Sequence, residues 1–288
     1  MKYKKPIIVA EIGCNHMGSI EIALDLIKIA KDCGADYAKF QKRTNKELLS
    51  KEQYNASHPN PVNSYGDTYG EHREKLEFDL ETHNKLKDFC ESINIGYSTS
   101  VWDMTSAKEI ASISPDYIKI PSAMNNHIDL LEYLIEKYSG DIHISSGMTY
   151  EEEILKIHSM FEAKKALSRL VVYSCTSGYP VPSEDVCLLE INKLKKVFGD
   201  KINQYGFSGH HKGVAIDIAA YTLGAVWIER HFTKDRTWKG TDHAASLEPQ
   251  GLQKLSRDLV NTHKALNYKS SEILEIEKVQ RDKLKFNG

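Results

Sequence analysis

The sequence predicts a single-domain α/β protein, a closed (β/α)8 TIM barrel. Three observations carry that prediction. Short apolar, β-rich runs alternate with longer runs at helical spacing. The alternation repeats eight times, the number that closes a parallel barrel, although an open doubly wound sheet has similar local signals. The length of 288 residues fits one barrel of about 250 residues with extended loops.

The units follow in order. A strand over 7–12 leads to a helix over 21–33. There Ile22, Leu26, Ile29 and Ala30 share one side, and Gly34 supplies the C-terminal stop. A strand over 37–41 is followed by a long polar stretch, 42–78, rich in Asn, Pro, Gly and Tyr. Loops of that length in a compact domain are mostly functional or disordered. A helix over 79–93 comes next, with Leu80, Leu86, Phe89 and Ile93 on one side. Strands over 95–99, 117–120, 142–145 and 170–174 precede helices from 103 and over 128–138, 150–161 and 183–198. Strands over 204–208 and 226–231 precede helices over 214–223 and 250–266. The connection 233–249 is also long and carries Asp235, Arg236, Asp242 and His243. The expected organisation is a barrel over 1–266 with a long loop at 42–78, then a short charged tail, 267–288.

Composition narrows the function. The balance of 38 basic and 40 acidic residues gives no general field for nucleic acid or an anionic membrane. The longest apolar stretch, 213–228, is interrupted by Asp217, so no spanning helix is expected. The N-terminus runs directly into a strand and lacks a signal-sequence pattern. Five scattered cysteines without a CxxC pair predict neither a disulfide framework nor a structural zinc site, and most read as buried small hydrophobes in a reducing cytoplasm. GxGxxG, GxxxxGK[ST], GxSxG and HExxH are all missing, which argues against dinucleotide, nucleoside triphosphate, serine hydrolase and zinc peptidase chemistry.

Polar residues gather where the strands end, the place where barrels collect reacting groups. They include Glu11, Asn15 and His16; Lys39 and Gln41; Ser98 and Thr99; Lys119 and Ser122; Ser174, Thr176 and Ser177; Ser208, His210 and His211; Glu229 and His231. A lysine inside a barrel is costly to bury without an anion. Lys39 and Lys119 therefore imply a salt bridge to Glu11 or another acid, a bound phosphate or carboxylate, or a Schiff-base amine of depressed pKa. Thr99, Ser122 and Ser208 would complete an anion site. His210 and His231 end neighbouring strands and, with an acid nearby, could hold one divalent metal, Mn2+ or Mg2+, with open positions for substrate. His16, His211 and His243 are weaker candidates.

The ordered runs VAEIGCNHMGS, AKFQK, YSTSVWD, YIKIPSA, ISSGMT, YSCTSGYPVP, FSGHHKG, IERHFT and GTDHAASLEP together resemble the sialic acid (N-acetylneuraminate) synthase family, over the barrel. The resemblance implies a transferase that condenses phosphoenolpyruvate with an aldose-type sugar, giving a nonulosonic 3-deoxy-2-keto acid and phosphate. It implies Lys39, Thr99, Lys119, Ser122, Ser177 and Ser208 around phosphoenolpyruvate, and His210 and His231 on the metal. It also implies Glu11, Gln41, Tyr179 and Asp242 facing the sugar, with Glu11, Lys39, Lys119, His210 and His231 as the catalytic set.

Three departures stand out. Met124 replaces a common acid, Gly209 replaces the middle residue of a common Ser-Asp-His, and no antifreeze-like domain follows residue 266. That domain bridges a dimer in the family and supplies an arginine to the sugar. The expectation is that the 42–78 insertion completes the sugar end instead, through Arg43, His72 or Arg73; homo-oligomer formation is left open. Two other readings share these residues: an octulosonate-type or other metal-dependent sugar synthase or aldolase, and a catalytically inactive sugar-binding barrel.

Overall fold

The eight apolar runs become eight parallel strands: β1 Ile7–Gly13, β2 Tyr37–Lys42, β3 Gly96–Val101, β4 Tyr117–Ile120, β5 Asp141–Ser145, β6 Leu170–Cys175, β7 Gln204–Gly209 and β8 Trp227–His231. They pair in sequence order and close through β1 and β8 into one barrel. A computed structural model describes residues 3–286. Residues 1–2 and 287–288, in the lead-in and the tail, lie outside the described residues.

The barrel helices are α1 Ile20–Asp32, α5 Leu80–Ser92, α6 Met104–Ser112, α7 Ile128–Lys137, α8 Glu151–Ala163, α9 Glu190–Phe198, α10 Ala215–Thr222 and α11 Pro249–Ala265. Three short helices, α2 Asn45–Leu48, α3 Lys51–Asn55 and α4 Tyr69–Lys75, occupy the 42–78 insertion. A last helix, α12 Glu275–Leu284, lies in the charged tail and buries no residue. None of these helices is long and apolar enough to cross a membrane.

Side-chain parity explains why the strands carry so many polar residues. Outward positions such as Ile8, Ala10, Ile12, Ala38, Phe40, Ile118, Ile120, Ile142, Ile144 and Ile228 bury against the helix layer. Inward positions are layered. Val9, Tyr117, Val171, Tyr173 and Trp227 make an apolar floor, on which His143 stacks at 3.8 Å from Tyr117. The polar residues stand above that floor.

Two expectations need correction. The segment 183–198 is not one helix: a single 3-10 turn, Ser183–Asp185, is separated from α9 by Cys187, whose φ of 52° a helix cannot absorb. The cysteines are free thiols, but only Cys90 is fully buried. Gly34 does end α1: its φ is +91°, and a Cβ there would stand 2.3 Å from the Ser256 hydroxyl.

Several histidines are buried as neutral rings. Burial lowers His16, His83 and His210 to about 3 and His143 well below its ordinary value. A depressed folded pKa gives stability that is complete above the unfolded value near 6.5 and lost as pH falls toward the folded value. Urea midpoints should therefore drop steadily from pH 7 to pH 4, at about 1.4 kcal/mol per pH unit for each such ring. A flat profile over that window would show that these rings are protonated in the fold.

Candidate active site

β8 sets the core of the site. Trp227 points to the floor and Ile228 to the helices, so parity turns Glu229 and His231 inward. Glu229 meets the lysines of β2 and β4. Lys119 Nζ donates to it at 2.6 Å, Lys39 Nζ lies at 3.7 Å, and the Ser208 hydroxyl donates to the same oxygen as Lys119 at 2.9 Å. Lys39 is also ion-paired with Glu11 and donates to Ser100 at 2.8 Å.

Two ammoniums and two carboxylates thus form one buried quartet. Burial alone would raise the Glu229 carboxyl, but Lys119 and then Lys39 hold it well below the usual carboxylate range. Burial lowers Lys119. Lys119 also lies 3.8 Å from the centroid of the Tyr173 ring. Of the three readings of the lysines, the acid pairing is therefore present in the fold itself.

The quartet floors a cavity of about 290 Å³ at the C-terminal mouth of the barrel. Gln41, Ser100, Trp102, Ser122, Ser177, Tyr179, Ser208, His210 and His231 also line it. Gln41 donates to Glu11 at 2.9 Å and accepts from Arg43. Gly13 lets these groups converge: at φ +55°, its missing Cβ would lie 3.0 Å from Gln41 Nε2, 3.2 Å from Glu11 Oε1 and 3.7 Å from Asp242 Oδ2.

His210 and His231 face each other with ring centroids 5.4 Å apart. Tyr179 packs 4.3 Å from His210. The Thr176 carbonyl can only accept, so His210 Nδ1, 3.0 Å away, carries the proton and Nε2 keeps its lone pair. Asp242 Oδ2 stands 3.9 Å from the His231 Nδ1, which is buried without a hydrogen-bond partner among the described residues.

Other expected residues fall elsewhere. Thr99 does not reach the cavity. Lys39 is in register with Ser98 and Gln41 with Ser100, so Ser98 and Ser100 share the inward parity and Thr99 faces the helices, donating at 2.6 Å to the Tyr97 hydroxyl. Ser100 takes its place in the cavity. His16 stacks on Phe78, His243 bonds Thr233, and His211 joins Asp217 and Arg230 outside the barrel.

His72 accepts from the Tyr65 backbone within the insertion. Arg43 and Arg73 flank Trp102, which lines the cavity, while neither arginine lines it. Met124 packs against the hydrophobic layer. At Gly209 a side chain would press on Phe207 at 2.8 Å and His211 at 2.9 Å.

The NeuB family model matches residues 26–271. This chain belongs to the NeuB family. It is 36% identical over 282 residues to human N-acetylneuraminate-9-phosphate synthase, covering 96% of this chain and 76% of the human protein. It is 34% identical over 266 residues to the Campylobacter jejuni N,N'-diacetyllegionaminic acid synthase, covering 91% and 78%. The NeuB barrel also superposes on a sialic acid synthetase from Leptospira borgpetersenii, crystallised with citrate. That match has a TM-score of 0.81 and 28% identity, over 98% of this chain and 93% of the other.

The sequence places Glu229 among the strand-end polar residues but gives it no role, and it gives no sign of Ser100 or Trp102. For Glu229 the signal existed: it stands two residues before His231 on one strand, and so shares its face.

Proposed function

We propose that this NeuB-family chain condenses phosphoenolpyruvate with an aldose-type sugar to give a nonulosonic 3-deoxy-2-keto acid and inorganic phosphate. The sugar would be an N-acylmannosamine, mannose or a phosphorylated relative. The observation that carries this reading is the pair of buried lysines, Lys39 and Lys119, facing one strand-end cavity in a chain of this family.

In this reading the lysines turn from their carboxylates toward the phosphate and carboxylate of phosphoenolpyruvate, and Ser122, Ser177 and Ser208 complete the anion site. C3 of phosphoenolpyruvate attacks the aldehyde carbon of the sugar and a C–C bond forms. Water adds to the cationic C2, and the tetrahedral intermediate expels phosphate by C–O cleavage. The ammoniums already on the phosphate stabilise the charge that leaves with it. Glu11, oriented by Gln41 at the edge of the quartet, is the carboxylate that would relay the proton.

His210 and His231 fit a divalent cation in part. Two imidazoles are adjacent, one anchored through Nδ1 to a backbone carbonyl as metal-bound histidines commonly are. No cluster of three or more protein ligands exists among the described residues. Substrate oxygens and water would complete the shell of Mn2+ or Mg2+, which when bound supplies Lewis-acid polarisation of the aldehyde.

The test is phosphate release from phosphoenolpyruvate across mannose, N-acetylmannosamine, their 6-phosphates and arabinose 5-phosphate, with Mn2+ and with EDTA. Release with a mannose-type sugar, abolished by EDTA, is expected. Activity confined to arabinose 5-phosphate would favour an octulosonate-type synthase. Activity that survives EDTA would remove the metal role of the two histidines.

Among the relatives, the human protein is a 9-phosphate synthase and the Campylobacter jejuni protein an N,N'-diacetyllegionaminic acid synthase. The state of the far end of the sugar has to be read from this chain's own residues.

A further inference from the structure

The 42–78 insertion brings two guanidinium groups to one indole. Arg43 lies 4.6 Å and Arg73 5.8 Å from the centroid of Trp102, which lines the cavity. The insertion is pinned over the mouth by contacts to the 233–249 connection. Tyr65 donates to the Lys239 carbonyl, and the Gly240 N–H donates to Asn63 at 3.2 Å.

Only one of the two cations has an acid beside it. Glu77 accepts from Arg43 Nη1 at 3.3 Å and from the Arg43 backbone at 3.0 Å. Arg73 has only the Tyr69 phenol, to which its Nε donates at 3.1 Å. Among the described residues no carboxylate oxygen lies within 4.0 Å of Arg73. Burial, and then Arg43, lower the Arg73 pKa, as expected for a cation short of counter-charge.

On Arg43, Arg73 and Trp102 themselves the unmet hydrogen bonds are all donors. Arg43 Nε and Trp102 Nε1 are buried N–H donors without an acceptor among the described residues. The terminal nitrogens of Arg73 have none there either. A buried donor left without an acceptor costs about 1–3 kcal/mol, more when charged. A positive cluster whose open positions are all donors takes an acceptor-rich anion. Its donors outnumber what the two oxygens of a carboxylate can serve and suit the three oxygens of a phosphate monoester.

The bridge to the reacting end is continuous. Arg43 donates to Gln41, which donates to Glu11 in the lysine quartet. An aldose lying along that bridge has its aldehyde near Glu11 and the histidines, and its terminal carbon toward the arginines. From these contacts we infer that Arg43, Arg73 and Trp102 form a subsite for the terminal phosphate of a phosphorylated sugar acceptor, which deepens the synthase reading and rests on it.

Two measurements separate the inference from that reading. In phosphate-release kinetics, N-acetylmannosamine 6-phosphate should exceed N-acetylmannosamine in kcat/KM by about 100-fold, the worth of a bidentate charged contact or two. Mannose 6-phosphate and mannose should show the same order. Arg73→Ala should collapse that ratio mainly through the KM of the phosphorylated sugar, and Arg73→Lys should retain part of it.

In calorimetry, N-acetylmannosamine 6-phosphate should bind the wild-type chain and lose about tenfold or more in affinity with Arg73→Ala. Turnover without preference for the phosphorylated sugar overturns the phosphate subsite and leaves the synthase standing. Arg73-dependent binding without any turnover upholds the subsite and defeats the synthase. Neither turnover nor Arg73-dependent binding overturns the subsite as well.

Discussion

Glu229→Gln is expected to lower the unfolding free energy by about 3–5 kcal/mol, and phosphoenolpyruvate or inorganic phosphate should restore much of the loss. Glu229 is the sole carboxylate within 4.0 Å of Lys119 among the described residues, and Lys39 keeps Glu11 as a second partner. Neutralising Glu229 leaves the Lys119 ammonium, 2% exposed, with the Tyr173 ring and little else. An uncompensated buried charge is costly, and an anion that occupies the site removes that cost.

Binding at 100 times Kd stabilises a fold by about 2.7 kcal/mol. Urea unfolding with and without ligand measures both effects. A larger ligand-induced shift in the variant than in the wild type identifies the lysines as an anion site. An equal or absent shift identifies the quartet as purely structural and ends the case for phosphoenolpyruvate there. The double change Glu229→Leu/Lys119→Met should recover the stability while phosphate release stays abolished.

The sign of the pH effect follows from the low folded pKa of Glu229. Its contribution is complete above the unfolded value near 4.3 and lost as pH falls through the folded one. The Gln variant should lack that component.

The barrel was legible because its two periods separate cleanly. Runs such as Ile7–Gly13 are too short for helices, and stretches such as Ile20–Asp32 place their apolar residues three and four apart. Strand ends announced the site because polar residues have no packing role inside a barrel unless they meet a ligand or each other. The sequence could not say which of these two holds, and the lysines meet each other's carboxylates.

Parity between strands was equally hidden. Ser98, Thr99 and Ser100 are all small and polar, and only the register with Lys39 and Gln41 turns Thr99 away. The insertion read as loop because its helices are short. Their signals were nevertheless present: Ser50 with Gln53 and Thr68 with Glu71 form complete capping boxes. The convergence of Arg43 and Arg73 on Trp102 joins the residue after β2, a residue of α4 and the residue after β3, which no local spacing encodes.

Asp217→Ala should lower the unfolding free energy by about 3–5 kcal/mol, although the residue lies outside the barrel and touches no lining residue of the cavity. Arg230 alternates outward between Glu229 and His231 and is 1% exposed. Its Nη1 donates to Asp217 at 2.6 Å and to the Gly213 carbonyl at 2.8 Å, and its Nη2 donates to the His211 carbonyl at 2.5 Å. His211 Nε2 lies 3.3 Å from the same Asp217 oxygen. One carboxylate therefore compensates a guanidinium that ties the end of β8 to the segment after β7.

His210 and His231 sit immediately beside the tied residues, so the outward network fixes the spacing of the inward pair. Removing Asp217 strands a buried guanidinium, whereas Asp217→Asn keeps a hydrogen-bond acceptor and should cost less. The double change Asp217→Leu/Arg230→Met should regain stability, because paired buried charges can be replaced by apolar side chains of similar volume. Mn2+ affinity, read by paramagnetic resonance of the free ion, should weaken by about 10–100-fold in Asp217→Ala, the scale seen when outer-shell support of a ligand is lost. A variant that keeps both its urea midpoint and its Mn2+ affinity would show that the β7 and β8 ends are held by the barrel ladder alone.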